Sequence, residues 1–202
     1  MKSDFILIAA HELRTPIQPI IGSVQLAEKG LMKSDQAWKI ISSEAKRLST
    51  VASYILDVSK IESGLVTYNM KPISVAQLIE GVTSSSSRFA SQECIISIEM
   101  DLDKDVKILG DKERLIQAFS NIIDNAARFA KNETIVIQTR NSGKGTVEIM
   151  VVDDGPGIPA EILPILFSKL VTKTRENDRG TGLGLFITKK IIESHNGSIT
   201  EA

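Results

Sequence analysis

The 202-residue chain carries a formal net charge of -1, with 42% hydrophobic, 24% charged and only 4% aromatic residues. These proportions exclude a disordered tail, a collagen-like polymer and a disulfide-stapled miniprotein, and they leave one or two globular domains with enough apolar material for a core. The near-neutral balance shows no basic patch, so no nucleic-acid partner is expected. Cys94 is the single cysteine and has no His or Cys at ligand spacing, which makes it a small buried strand residue. The apolar run at 5–10 stops at His11 and Glu12, too short for a membrane span or a signal-peptide core. A cytoplasmic location is expected, with membrane contact only through a sensor region outside this chain.

In chain order, apolar residues recur three and four apart at Ile6, Ala9, Leu13, Ile17, Ile20, Val24, Ala27 and Leu31. Gly30, Lys33, Ser34 and Asp35 mark a turn, and a second seam follows at Ala37, Ile41, Ala45, Leu48, Ala52 and Ile55, closing near Ser63 and Gly64. This predicts an antiparallel helical hairpin over 1–67, whose uncovered faces call for dimerisation into a four-helix bundle. Lys71 and Pro72 punctuate the boundary to a second domain, 68–202. There a helix is expected over 74–89, strands at 95–100, 106–109, 134–140 and 146–152, and helices at 111–129 and 183–194. The loop at 141–145 reads as a hairpin, so at least that strand pair is antiparallel. The fold class expected is α+β: the hairpin, then an α/β sandwich with a mixed sheet covered by helices on one face.

Four motifs carry chemistry. In His11-Glu12-Leu13-Arg14-Thr15-Pro16, His11 lies about 200° around the helix from Leu13, away from the apolar seam. An exposed neutral imidazole is a competent nucleophile near neutral pH, and the Glu12 carboxylate can hold the proton of its other ring nitrogen. Thr15, one turn on, shares the face of His11. Pro16 and Pro19 remove hydrogen bonds to the carbonyls of Glu12 and Thr15, predicting a bend directly after the nucleophile. The second motif places Asn121 and Asn125 at i and i+4 on a helix, two carboxamide oxygens suited to Mg2+ and nucleotide phosphates, with Arg128 near enough to meet the phosphate charge. In the third, Asp153-Asp154-Gly155-Pro156-Gly157, a carboxylate at a strand end can accept from an exocyclic amine while the glycines admit a close ligand. The fourth, Gly180-Thr181-Gly182-Leu183-Gly184-Leu185, opens a helix and offers backbone N–H groups to phosphates. Lys173 and Arg175 stand in a polar stretch between the last two, read as a mobile lid.

Together these motifs resemble the sensor histidine kinases of two-component systems, over essentially the whole chain. The hexapeptide at His11 matches their phosphoacceptor motif letter for letter, and the rest resembles the ATP-binding domain shared with heat-shock chaperone, mismatch-repair and type II topoisomerase ATPases. The resemblance implies an ATP-dependent protein-histidine kinase that phosphorylates His11 and passes the phosphoryl group to an aspartate of a response regulator receiver domain. It further implies phosphatase activity toward that partner, a homodimer, and ATP with Mg2+ as cofactors. Within it His11 is the phosphorylated residue, Glu12 the general base and Thr15 the residue that orients water. Asn121 and Asn125 match the N box, with Asn125 the better candidate for Mg2+ and Asn121 a candidate second ligand, and Arg128 contributes to the nucleotide site. Asp153 reads adenine, Gly155 and Gly157 form the first glycine box, and Phe167 marks the phenylalanine box. Lys173 with Gly180, Thr181, Gly182, Leu183 and Gly184 completes the nucleotide site.

Three departures from the family pattern stand out. Pro19 is a second helix proline, Leu170 takes the place of an expected second aromatic after Phe167, and the chain stops at Ala202, one strand into what resembles the closing hairpin. The expectation is a truncated product or a fragment, with the nucleotide domain less stable than the hairpin. Two rival readings compete with this one. Gly155-x-Gly157-x-x-Ala160 fits a loose dinucleotide fingerprint, but the antiparallel hairpin feeding it disfavours a βαβ unit. The alternative is a non-catalytic dimeric pseudokinase scaffold that binds ATP, against which stands the retention of His11, Glu12, Asn125 and Asp153.

Overall fold

A computed structural model describes residues 2–90, 95–103, 105–130, 134–143, 145–169 and 181–201. Cys94, Leu170, Lys173, Arg175 and Gly180 lie outside the described residues, as does the stretch read as a lid. The chain forms two compact units, the first built on Met1–Val66 together with a segment that ends at Leu183, the second on Thr67–Val171 and Gly184–Ala202.

The first unit is a helical hairpin of α1 (Lys2–Glu28) and α2 (Ser34–Glu62), which pack along one another. Glycine in the left-handed conformation closes both helices. At Gly30 (φ +69°) and Gly64 (φ +67°), the N–H groups of Gly30 and Leu31 bond the carbonyls of Ala27 and Leu26, and those of Gly64 and Leu65 bond Ile61 and Lys60. This 5→2 and 6→1 pairing satisfies carbonyls that a helix end leaves open.

Burial within the hairpin repeats every seven residues. Ala9, Pro16 and Ser23 are buried on α1, and Ala37, Glu44, Val51 and Val58 on α2. That row differs from the expected seams: Ile6, Ile17, Val24 and Ala45 are exposed. Three-and-four spacing describes any apolar stripe, and it cannot distinguish the face turned to the partner helix from a second apolar face beside it. Residues of the expected seam therefore remain uncovered on this hairpin. α1 runs unbroken through Pro16 and Pro19.

The second unit begins with β1 (Lys71–Ser74), then α3 (Val75–Ala90), β2 (Ile95–Asp101), β3 (Lys107–Gly110), α4 (Lys112–Phe129), β4 (Thr134–Gly143), β5 (Thr146–Asp153), a single 3-10 turn at Leu163–Ile165 and α5 (Gly184–Ser194). The strand β1 was not anticipated, since Lys71 and Pro72 read only as punctuation. Its partner β3 lies beyond α3 and β2, pairing Lys71 with Gly110 and Ser74 with Lys107. β4 is the centre of a second, three-stranded sheet, parallel to β2 and antiparallel to β5. The mixed character expected is thus observed, though split over two sheets. The β4–β5 turn requires left-handed backbone at Gly143 and Gly145, φ +78° and +75°, which glycine adopts without a Cβ clash.

Alternate residues of β4, Ile135, Ile137 and Thr139, are buried, and α3 and α4 pack against the sheet and each other, with α5 on α4. Leu78, Ile79 and Val82 of α3, Leu115, Phe119 and Ile123 of α4, and Ile187 and Ile191 of α5 complete this core. Each fully buried aliphatic side chain contributes roughly 1.5–3 kcal/mol.

Candidate functional site

On the hairpin, His11 is exposed while the next residue, Glu12, turns inward toward Arg47 of α2. The one-residue step of 100° separates the two side chains by design of the helix. Thr15 Oγ1 donates to the His11 carbonyl at 3.0 Å. The threonine hydroxyl is therefore anchored one turn from the imidazole with its lone pairs outward, able to accept but not to donate again.

In the second unit, α4 carries the paired asparagines, and they part company. Asn121, expected as a second metal ligand beside Asn125, is buried, and its Nδ2 donates to the Gly184 carbonyl at 3.2 Å and to Thr188 Oγ1 at 3.4 Å. Thr188 Oγ1, itself wholly buried, donates in turn to the Ala118 carbonyl at 3.2 Å. Asn121 thus ties α4 to the first turn of α5. The reason lies in helix rotation: Asn121 shares the buried stripe with Ala118 and Leu115, whereas Asn125 stays half-buried at its edge. Asn125 is the less buried of the two. Arg128 is exposed in the last turn of α4. One residue before Asn125, burial pushes the Asp124 carboxyl up to about 6, against the opposing pull of Arg128.

Asp153 ends β5, exposed, and its Oδ1 accepts the Gly155 N–H at 2.8 Å, which shapes the turn and leaves the other carboxylate oxygen for a ligand. Gly155 has no room for a side chain: a Cβ would lie 2.5 Å from Asp153 Oδ1 and 2.8 Å from the Phe129 carbonyl oxygen. Close packing of this turn under the end of α4 brings the Asp153 motif to the helix that carries Asn125 and Arg128. Gly157 needs glycine for its φ of +74°. Farther on, Lys189 Nζ sits 5.7 Å from the centre of the half-buried Phe167 ring. Thr181 Oγ1 accepts the N–H of Leu183 at 3.3 Å, Gly182 has φ +63°, and Gly184 opens α5. Among the described residues, no cluster of His, Cys, Asp and Glu forms a metal site, and no helix is long and apolar enough to cross a membrane.

Sequence reasoning missed Arg47, which faces Glu12 across the hairpin, and Thr188, which braces Asn121. Their signal lay in long-range neighbours, not in spacing.

The chain's first 64 residues match the family described as His Kinase A (phospho-acceptor) domain, and residues 110–201 match Histidine kinase-, DNA gyrase B-, and HSP90-like ATPase. It is 27% identical to the signal transduction histidine-protein kinase BaeS of Escherichia coli over all of this chain, but spans only 44% of that protein. Its fold is similar to that of the histidine kinase AdeS of Acinetobacter baumannii, with a TM-score of 0.72 at 24% identity, covering 91% of this chain and 86% of that one. It is also similar to the histidine kinase ThkA solved in complex with the response regulator protein TrrA, with a TM-score of 0.67 at 26% identity, over 93% of this chain and 53% of that one. A phosphoacceptor-type hairpin with its histidine exposed, followed in one chain by the matching ATPase fold, places this protein in the sensor histidine kinase family.

Proposed function

We propose that this chain is the transmitter portion, 1–67 with 68–202, of an ATP-dependent protein-histidine kinase that phosphorylates His11 and passes the phosphoryl group to a response-regulator aspartate. The observation that carries the reading is the exposed His11 in its matching hexapeptide, joined to a module whose Asp153, Gly155 and Asn125 converge on α4. In the transfer, a His11 ring nitrogen forms a bond to the γ-phosphorus as the bond to the bridging oxygen breaks, releasing ADP. The proton on the other ring nitrogen passes to Glu12. The phosphoryl group then moves to a carboxylate oxygen of the partner and the imidazole is restored.

Asp153 binds the adenine amine, Gly155 and Gly157 admit the base, and Arg128 meets phosphate charge; Thr181, Gly182, Leu183 and Gly184 are assigned to the phosphates from the family pattern. Lys173 and Gly180 are assigned to the same site from the family pattern. Asn125, half-buried, offers a carboxamide oxygen that suits Mg2+, a hard cation; Asn121 serves as a brace behind it. When bound, Mg2+ supplies charge neutralisation on the transferring phosphates. Thr15 orients the water that hydrolyses the partner's phosphoaspartate. Exposed Ile17, Ile21 and Val24 on α1 support a homodimer that covers this face in a four-helix bundle; a cytoplasmic location is part of the same proposal.

The test is incubation with radiolabelled ATP followed by acid and base treatment. Label that is acid-labile and base-stable, and absent in His11→Gln with nucleotide affinity retained, is the expected result. Label persisting in His11→Gln would remove His11 from the mechanism, and ATP binding with no label in the unaltered chain would favour the pseudokinase.

A further inference from the structure

Between the helices of the hairpin, one guanidinium faces two carboxylates. Arg47 Nη2 lies 3.9 Å from Glu12 Oε2, across the helix pair, and Nη1 lies 3.8 Å from Glu44 Oε2, one turn earlier on α2. The three side chains are 21%, 16% and 8% exposed for Arg47, Glu12 and Glu44. Both separations exceed hydrogen-bond length, and Glu12 Oε2 and Arg47 Nε are buried without a hydrogen-bond partner. A part-buried ion pair at this range has Coulomb attraction, but at Glu12 Oε2 and Arg47 Nε it lacks the hydrogen bonds that offset desolvation. It is geometrically primed to tighten: a shift of about 1 Å would turn the fork of Arg47 into a direct hydrogen-bonded pair with Glu12.

Glu12 directly follows His11, so whatever fixes its carboxylate fixes the acceptor for the ring proton. We propose that Arg47 is a positioning residue for phosphoryl transfer at His11, holding the Glu12 carboxylate in place to take that proton while Glu44 anchors the other edge of the guanidinium. This rests on the reading of Glu12 as general base. The contribution of such placement is kinetic: misplacing a catalytic group lowers turnover more than substrate binding.

The experiment measures autophosphorylation of the full chain with radiolabelled ATP for the unaltered protein, Glu12→Gln, Arg47→Met and the double variant, with helix content followed by circular dichroism. Expected is a fall of about tenfold in kcat for Arg47→Met with KM for ATP within about twofold, partial recovery in Arg47→Lys, and no further loss beyond about twofold when Arg47→Met is added to Glu12→Gln. Equal losses in both backgrounds, or an unchanged kcat, would overturn the proposal while leaving Glu12 as base. An unchanged kcat in Glu12→Gln alone would overturn the reading of Glu12 and the proposal with it. Should Arg47→Met lose helix content, Arg47→Gln and Arg47→Lys carry the same comparison: a lysine variant that recovers rate over glutamine supports the proposal, and equal rates overturn it.

Discussion

The His195 imidazole, just past the end of α5, accepts the backbone N–H of Asp111 through Nε2 at 2.9 Å. Its Nδ1 bonds the Ile191 carbonyl at 2.7 Å, which makes the ring the Nδ1–H tautomer. Tyr68 packs edge-on against the ring at 5.3 Å between centroids. The close approach depends on Gly110, where a Cβ would lie 3.0 Å from His195 Cδ2 and 2.6 Å from Leu115 Cδ1. His195→Ala should cost about 2 kcal/mol, having left the Asp111 N–H without its acceptor and removed the ring contact. Gly110→Ala should destabilise through the same contact. Urea unfolding of both variants checks this, and an unchanged midpoint in His195→Ala would show that water replaces the ring at no cost.

Asp111 is the N-cap of α4, its Oδ1 accepting from the Arg114 N–H at 3.2 Å and its Oδ2 from the Asn69 N–H at 2.9 Å. Desolvation raises its pKa, but the backbone donors of Asn69, Arg114 and Glu113 outweigh it and hold the carboxyl below the usual value. A depressed carboxyl stabilises the fold above its unfolded pKa, and that stability is lost as pH falls through the folded value. Asp111→Ala should therefore cost about 1 kcal/mol at pH 7, with the difference shrinking below about pH 4. Thermal unfolding of the two proteins from pH 7 to pH 3 would show the curves converge; a constant gap would assign the effect to packing.

Asp124 has the opposite sign. Burial raises its carboxyl to about 6, so the folded state binds the proton more tightly and stability declines as pH rises from about 4 to about 6. Asp124→Asn should remove that decline and raise nucleotide-free stability at pH 7 by on the order of 1–2 kcal/mol. Chemical denaturation at pH 4.5 and 7 is the measurement, and equal stability of the two proteins at pH 7 would place Asp124 in water.

The Asn121–Thr188–Ala118 chain predicts coupling between helices. Thr188→Val should cost about 1–2 kcal/mol, because the Asn121 amide loses an acceptor inside the interface. In combination with Asn121→Ala the losses should fall short of additivity by at least ~0.5 kcal/mol. Strict additivity in denaturant melts would remove the hydrogen bond from the energetics.

Thr15→Ala should separate two activities. Its hydroxyl proton is committed to the His11 carbonyl, so it can only accept from a hydrolytic water. Phosphatase activity toward a phosphorylated partner is expected to fall by about tenfold or more while autophosphorylation persists. Equal loss of both would make the threonine a support for the helix next to Pro16.

Local periodicity made much of this protein legible. The two hairpin helices, the exposure of His11, the glycine stops at Gly30 and Gly64, and the antiparallel pair across 141–145 all follow from spacing within a dozen residues, where side-chain direction is set by the backbone itself. Tertiary packing decided the rest. Lys71 and Gly110 pair across the intervening helix and strand, and nothing in the short run Lys71–Ser74 announces a strand before its partner is in place. Asn121 and Asn125 look equivalent at i and i+4, yet α5 covers Asn121 and Asn125 stays half-buried. Likewise, Ile17 and Ala9 have the same apolar character, and only the position of α2 determines which is buried. Arg47 acquires its place beside Glu12 the same way: helical repeats specify faces, whereas which face meets which is a property of the folded whole.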